Sequence, residues 1–238
     1  MSFKKRYVAM SDILGFRQFI RDHDLIDAVS RFERLRTHAI IRSAETTVHR
    51  FDAEEGYTLE IERIPYVLFS DTLLMWVDAE GESPETVIGV QNFFDGLGAL
   101  LAYSSVNNLP FRTGVSYGEC FIDVANNMYL GEVIVEAHEV EQNQQWFGGA
   151  CHPNCTNAPF FINVVKRNAL VIPYEVPCKN ESLRLQDAIE WVSYAPPDHD
   201  ELLRDRISNT SQADVQVKFR NALNFYSLIR PPACLRES

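Results

Sequence analysis

At 238 residues the chain is long enough for one large domain or two small ones, with roughly two-thirds of its unfolded surface removable from water. With 46% hydrophobic and 23% charged residues it has the composition of a globular protein, which excludes disordered, collagen-like and coiled-coil classes. A net charge of −11, with no basic cluster, disfavours a phosphate backbone as partner, so no nucleic acid is expected. No apolar run approaches the ~20 residues of a membrane span, and the amino end meets Asp12 before a signal-peptide core is built, so no membrane partner and a cytoplasmic location are expected.

In chain order, Tyr7 to Ile13 reads as a buried strand closed by Gly15. The apolar residues from Phe19 to Ile40, among them Leu25, Ile26, Val29, Phe32 and Leu35, recur at mixed three- and four-residue spacings with charged residues between them and predict one or two helices. Thr58 to Ile64, Tyr66 to Phe69 and Thr72 to Val77 are β-rich, and the last two flank Ser70-Asp71 as a hairpin would. Ser83-Pro84-Glu85 is a capped helix start, with Val90, Phe93, Phe94, Leu97 and Leu101 on its inner face. Phe111 to Ile122 reads as a strand interrupted by Gly114 and Gly118, where a close backbone approach is expected. Glu132 to Gln145 is an amphipathic helix, Trp146 to Ala150 a short strand, Ala158 to Ile172 helix or strand, and Asp214 to Leu228 a final helix. With no repeat or linker, residues 1–238 read as a single α+β domain.

Five scattered cysteines suggest reduced thiols. The Cys151-His152-Pro153-Asn154-Cys155 segment lacks a second ligand pair for zinc and reads as a loop with ordinary thiols. Two aspartates draw attention because each interrupts an apolar strand run. Asp12 lies between Tyr7-Val8-Ala9-Met10-Ser11 and Ile13-Leu14, and Asp71 between Phe69-Ser70 and Thr72-Leu73. A carboxylate at a buried strand end is costly unless something positive neutralises it, and neither aspartate has a Lys or Arg beside it in sequence. A divalent metal would supply that charge; a helix-capping Asp12 and a turn Asp71 are the alternative reading.

Ser11-Asp12-Ile13-Leu14-Gly15-Phe16 resembles the first-strand signature of class III nucleotide cyclases. Phe69-Ser70-Asp71 resembles that family's second metal site, with Ser70 in place of its Gly. Arg112-Thr113-Gly114-Val115 with Gly118 resembles its Arg-x-Gly-Ile strand, and Gly131 with Ala137 its dimer-face helix. The fragments keep the family's order from about Tyr7 to Gly149, which leaves 150–238 as a carboxy-terminal extension. The resemblance implies a ferredoxin-like, mostly antiparallel sheet with helices on one face. It also implies two divalent cations, Mn²⁺ or Mg²⁺, on Asp12, Asp71 and the Ile13 carbonyl, and a nucleoside triphosphate held by the backbone through Leu14, Gly15 and Phe16. A homodimer is implied too, because in the family each site is completed by the partner subunit. On this reading the helix from Glu132 and Trp146 present the pairing surface.

Departures from the pattern narrow the expectation. The purine-reading Lys or Glu position is Val67, with Tyr66 beside it to offer a hydroxyl to a pyrimidine edge, a half-buried strand tyrosine being the alternative. The transition-state Asn and Arg positions fall on Val135 and Glu139, so Arg112 is the candidate replacement cation, although a strand Arg paired with an acid is the alternative. Glu136-Ala137-His138-Glu139-Val140-Glu141 through Gln145-Trp146-Phe147-Gly148 resembles the compact pyrimidine cyclases of bacterial antiphage systems. This implies conversion of UTP or CTP to the cyclic monophosphate, or a catalytically silent module of the same fold. His138 reads as a helix-surface histidine.

Overall fold

The computed structural model describes residues 3–52, 56–180 and 183–231, and for 46–52 and 56–62 the backbone alone. The chain opens with strand β1 (Lys4–Ile13), whose residues alternate between two faces. Tyr7, Ala9 and Ile13 enter the larger hydrophobic cluster on one side, while Val8 joins a smaller one on the other. Gly15, at φ +78°, turns the chain into helix α1 (Phe16–Asp22), and the Asp24 side chain caps helix α2 (Leu25–Leu35) by accepting from the Ile26 and Asp27 amides. Helix α2 continues through a π turn, Arg36–Ile41, into α3 (Arg42–Ala44).

Strands β2 (Glu45–Asp52) and β3 (Gly56–Arg63) pair only with each other. The main sheet then takes β4 (Tyr66–Phe69) and β5 (Thr72–Asp78), the expected hairpin. Helix α4 (Pro84–Val106) starts at Ser83, whose Oγ accepts from the Thr86 amide at 3.2 Å, and delivers the chain to β6 (Phe111–Asp123). Next come β7 (Met128–Leu130), α5 (Glu132–Asn143), β8 (Gly148–Cys151), β9 (Val171–Pro173), β10 (Asp187–Ile189), α6 (His199–Asn209) and α7 (Ala213–Ile229).

The fold is α+β, built on an open, mostly antiparallel sheet of order β4-β5-β1-β6-β8-β10-β9, in which β6 and β8 form the parallel pair. The stretch β1-helix-β4-β5-α4-β6, with β1 central between β5 and β6, is the ferredoxin-like split βαβ arrangement. Phe93, Phe94, Leu97, Leu100 and Leu101 of α4 are buried in the larger cluster, where each such side chain contributes about 1.5–3 kcal/mol by leaving water. The same cluster takes Trp191, Leu203, Phe225 and Tyr226, so the segment beyond Gly149 shares its core with the amino-terminal strands.

To the helices on that face the structure adds α5 on the opposite one, over β1 and β6. It lies close: a Cβ at Gly114 would sit 2.0 Å from the Ala137 carbonyl oxygen, so only glycine admits the helix at this distance. Val133 packs there with Val8, Leu74, Trp76 and Cys120.

Three stretches go beyond what the pattern shows. Leu25, Ile26 and Val29 are 75%, 82% and 54% exposed, because α2 reaches the core only toward its Leu35 end. Helix α6 escapes apolar periodicity because its buried residues are only His199 and Leu203. The stretch 158–172 resolves into a π turn, Phe161–Lys166, followed by β9. Among the described residues no helix is long and apolar enough to cross a membrane.

Candidate functional site

Asp12 is the last residue but one of β1, and Asp71 lies in the two-residue turn between β4 and β5. Pairing of β1 with β5 sets Asp12 opposite Thr72, so the turn is brought to the end of β1. There the Ile13 amide donates to the Asp71 carbonyl at 3.2 Å. Ser70 takes φ +57°, the left-handed position that a glycine fills at lower cost. On the other side of β1, Asp12 is opposite Arg112 of β6. Strand alternation therefore puts Asp12, Thr72 and Arg112 on the α5 face at one end of the sheet.

Arg112 is only 4% exposed and Glu141 1%. The Arg112 Nε donates to Glu141 Oε1 at 2.6 Å, its Nη2 lies 2.5 Å from the same oxygen, and its Nη1 donates to the Gln144 carbonyl at 3.1 Å. These charge-assisted bonds offset the cost of burying both ions. The arginine is thus paired with a buried acid from the last turn of α5. Sequence reading missed Glu141; the available signal was an acid next to Val140, on the inward stripe of Val133, Ala137 and Val140.

Neither the Asp12 nor the Asp71 carboxylate has a hydrogen-bond or ion-pair partner among the described residues. Burial pushes the Asp12 carboxyl up to about 7, and the charges of Glu141 and Asp71 push in the same direction against Arg112. The site therefore holds more negative than positive charge, and the one arginine is already committed to Glu141. Hard oxygen donors on two strands, with the Ile13 carbonyl between them in sequence, fit Mg²⁺ or Mn²⁺, which take few protein ligands and keep places for water and phosphate oxygens. Among the described residues no three His, Cys, Asp or Glu side chains converge as a self-sufficient cage.

The Leu14 amide is spent on the Pro110 carbonyl at 2.9 Å, which fixes the strand-to-helix turn. The Phe16 ring packs against Phe19 and Phe32 at 6.0 and 5.8 Å, so Gly15 and Phe16 can offer a ligand their backbone only. Val67 packs in the smaller cluster, on the same face as Asp12, but Tyr66 does not join it. Successive strand residues point oppositely, and Tyr66 packs against the larger cluster on the α4 side; it is withdrawn as a base reader.

Val135, 55% exposed, and Glu139 lie on the outer side of α5. Trp146 is fully buried within its own chain, its Nε1 donating to Gln144 Oε1 at 2.7 Å and its ring stacked on Tyr174. It is therefore removed from the expected pairing surface. His138 is on the helix surface, its Nδ1 3.7 Å from Glu141 Oε2. Cys151, at the end of β8, and Cys155, within the short 3₁₀ turn Pro153–Asn157, are core thiols. Lys179, also missed, seats its Nζ on the Gln142 carbonyl at 2.6 Å, at the carboxyl end of α5; burial and the charges of Arg112 and Lys218 pull its pKa down.

No family model matches the sequence, and no curated protein matches it. Among solved structures the chain is similar to the dimeric guanylyl cyclase domain of the RhoGC fusion protein from the aquatic fungus Blastocladiella emersonii. The identity is 14% over 79% of this chain and 97% of that one, at a TM-score of 0.48. It is similar also to a bacterial light-regulated adenylyl cyclase, at 13% identity over 80% of this chain and 52% of that one, with a TM-score of 0.45. A third likeness is to an adenylate/guanylate cyclase/hydrolase from Silicibacter pomeroyi, at 10% identity over 79% and 96% of the two chains, with a TM-score of 0.43.

Proposed function

We propose that the chain is a metal-dependent nucleotide cyclase that converts UTP or CTP into the 3′,5′-cyclic monophosphate and diphosphate in the cytoplasm. The observation that carries this reading is the pair of carboxylates, Asp12 and Asp71, without a partner among the described residues and brought together by the pairing of the Asp71 turn with the end of β1, within motifs that resemble class III cyclases. Asp12, Asp71 and the Ile13 carbonyl would hold two divalent cations, Mn²⁺ or Mg²⁺, which when bound supply positive charge to a triphosphate and acidity to a ribose hydroxyl.

The chain's own contribution is placement. The Ile13 and Leu14 amides lock the end of β1 to the hairpin and to Pro110, so the two carboxylates are fixed relative to each other before any ligand arrives. Arg112, beside Asp12, is held by Glu141 and the Gln144 carbonyl; its charge is offset by Glu141, so it fixes the end of β6 against α5 rather than supplying a free cation. Val67 leaves the Asp12 face neutral where purine cyclases carry a charged reader, which favours a pyrimidine. No Asp or Glu neighbours Val67 in sequence to accept a cytosine amine, which favours uracil.

The exposed apolar residues Val124, Met128, Leu130 and Val135, around the β7 hairpin and α5, support a homodimer on this side of the sheet. The resemblance to compact antiphage cyclases supports a second-messenger role for the product in bacterial defence. A second reading, a silent nucleotide-binding or dimerising module, is favoured by Val135 and Glu139 at the positions of the family's transition-state residues. Purified protein incubated with each of the four triphosphates and Mn²⁺, with products identified by mass, separates them. Cyclic UMP or cyclic CMP supports the cyclase, a purine cyclic nucleotide defeats the pyrimidine assignment, and no cyclic product supports the silent module.

A further inference from the structure

A cavity of about 530 Å³ lies beyond the end of β1, between the β1–α1 turn and the α6–α7 pair. It is separate from the Asp12 site. Asp12 points to the α5 face, whereas Phe147 and Phe219, which wall the cavity, belong to the larger cluster on the α4 side. Its two cations are Arg206, from α6, and Lys218, from α7. Lys218 Nζ is 3.4 Å from Asp214, one turn earlier on its own helix. The Arg206 guanidinium has no hydrogen-bond or ion-pair partner among the described residues. The acid that shares the cavity, Asp22, is engaged by Gln18 at 2.6 Å.

Burial pulls the Arg206 pKa down, with the neighbouring Asp205 in opposition, so the folded chain holds a half-buried cation with no acid in ion-pair contact among the described residues. An arginine in that position is compensated by an anion with several acceptor oxygens, for which its planar fork is suited. The α6–α7 connection adds the side chains of Thr210 and Ser211 at the rim. The volume falls in the range of small-molecule sites and exceeds what one inorganic anion fills, and the phenylalanine wall calls for an apolar group on the remainder.

We propose that this cavity is a binding site for a small organic phosphate, its phosphate held between Arg206 and Lys218 and its apolar part against the partly exposed rings of Phe19 and Phe219. Leu14 and Gly15 also line it, so an occupant touches the turn that directly follows Asp12 and Ile13, which makes the site suited to an effector. The proposal does not rest on the cyclase reading, although the cavity shares Leu14 and Gly15 with the turn expected to hold a triphosphate.

The test is calorimetric titration of the whole chain in a chelator, without divalent metal, using phenyl phosphate, inorganic phosphate and phenol as probes. Phenyl phosphate is expected to bind more tightly than either half-molecule. Arg206→Gln and Lys218→Gln are each expected to weaken it by about tenfold, the loss of one charge-assisted contact. Asp12→Asn, outside the cavity, leaves the affinity as it is. Absence of phenyl phosphate binding at millimolar concentration overturns the proposal. So does wild-type affinity in both cation variants, or a loss of affinity in Asp12→Asn. Inorganic phosphate binding as tightly as phenyl phosphate overturns the apolar half of the assignment.

Discussion

The two faces of the central sheet, built from alternate residues of the same strands, solve opposite problems. On the α4 side, β1 contributes Tyr7, Ala9 and Ile13, and its two hydroxyls there are both satisfied: Tyr7 donates to the Pro159 carbonyl at 2.6 Å and Ser11 meets Thr113 at 2.8 Å. On the α5 side the same strand contributes Arg6, Val8, Met10 and Asp12. Arg6 is answered by Asp78 at 2.6 Å, and Arg112 by Glu141, but Asp12 is answered by nothing among the described residues. One face is therefore a closed core, and the other is a nearly closed one with open charge at its end, Asp12 on the strand and Asp71 in the adjoining turn. A polar group left unpaired where its neighbours are all paired marks the place where the fold gives up stability for something else.

The sharpest way to break this contrast is to remove the open charge. Asp12→Asn and Asp71→Asn are each expected to lower turnover by at least about two orders of magnitude, the scale of losing a metal bridge in phosphoryl transfer. Neither opens a cavity, and Asp12→Asn also removes repulsion from Glu141 and Asp71, so melting temperature without metal should not fall. Mn²⁺ should raise the melting temperature of the wild type and not of the variants. Full activity in both variants contradicts the assignment, whatever the melting curves give.

Glu141→Ala has the opposite signature. It strands the Arg112 guanidinium, 4% exposed, without its counter-ion, an error that costs about 3–5 kcal/mol in proteins. Chemical denaturation should show a lower midpoint with an unchanged slope. A loss below about 1 kcal/mol would mean that Arg112 finds the Gln144 carbonyl sufficient.

The α4 side has one ionisable weakness of its own. His199 is 1% exposed, touches Ser105 at 3.2 Å through Nε2, and has its pKa lowered to about 4 by burial, assisted by Arg230 and opposed by Asp198 and Asp200. Because the folded pKa lies below the unfolded one, near 6.5, protons bind the unfolded chain first. The neutral histidine's contribution is complete above pH 6.5 and is lost as pH falls toward 4, up to about 3 kcal/mol across that window. His199→Phe should flatten that part of the stability curve; an unchanged acid slope would assign it to other groups.

How much of this was legible in the sequence follows from what each feature depends on. The strands, the hairpin and α4 announce themselves through local pattern and caps, and Asp12 and Asp71 stand out because each breaks such a pattern. Glu141 and Lys179 depend on where the end of α5 lands, a matter of the glycine contact at Gly114 and the chain's return at Lys179, neither of which has a local signature. Trp146 reads from sequence as a core or dimer anchor alike, because an amphipathic helix followed by an aromatic looks the same whether the aromatic points into its own core or toward a partner; the structure places it in the core. The exposure of Leu25 and Ile26 has no signal either, because periodicity says which residues share a face and not whether anything covers it.

The smallest expected effect tests strand alternation itself. Tyr66 and Val67 are neighbours in sequence and both adjoin the proposed base position, but β4 sends Tyr66 to the α4 side and Val67 to the face that holds Asp12. Tyr66 packs against Leu73, Met75 and their neighbours in the larger cluster, so its hydroxyl is remote in direction from any ligand on the other face. Tyr66→Phe should therefore leave the ratio of cyclic UMP to cyclic CMP from equimolar triphosphates within about twofold of wild type, a difference under 0.5 kcal/mol. Val67→Thr, which keeps the side chain's shape and adds a hydroxyl on the Asp12 face, should shift that ratio by more. If Tyr66→Phe moves the ratio and Val67→Thr does not, the base sits on the α4 side of the hairpin, and the open face described above is not where the substrate lies.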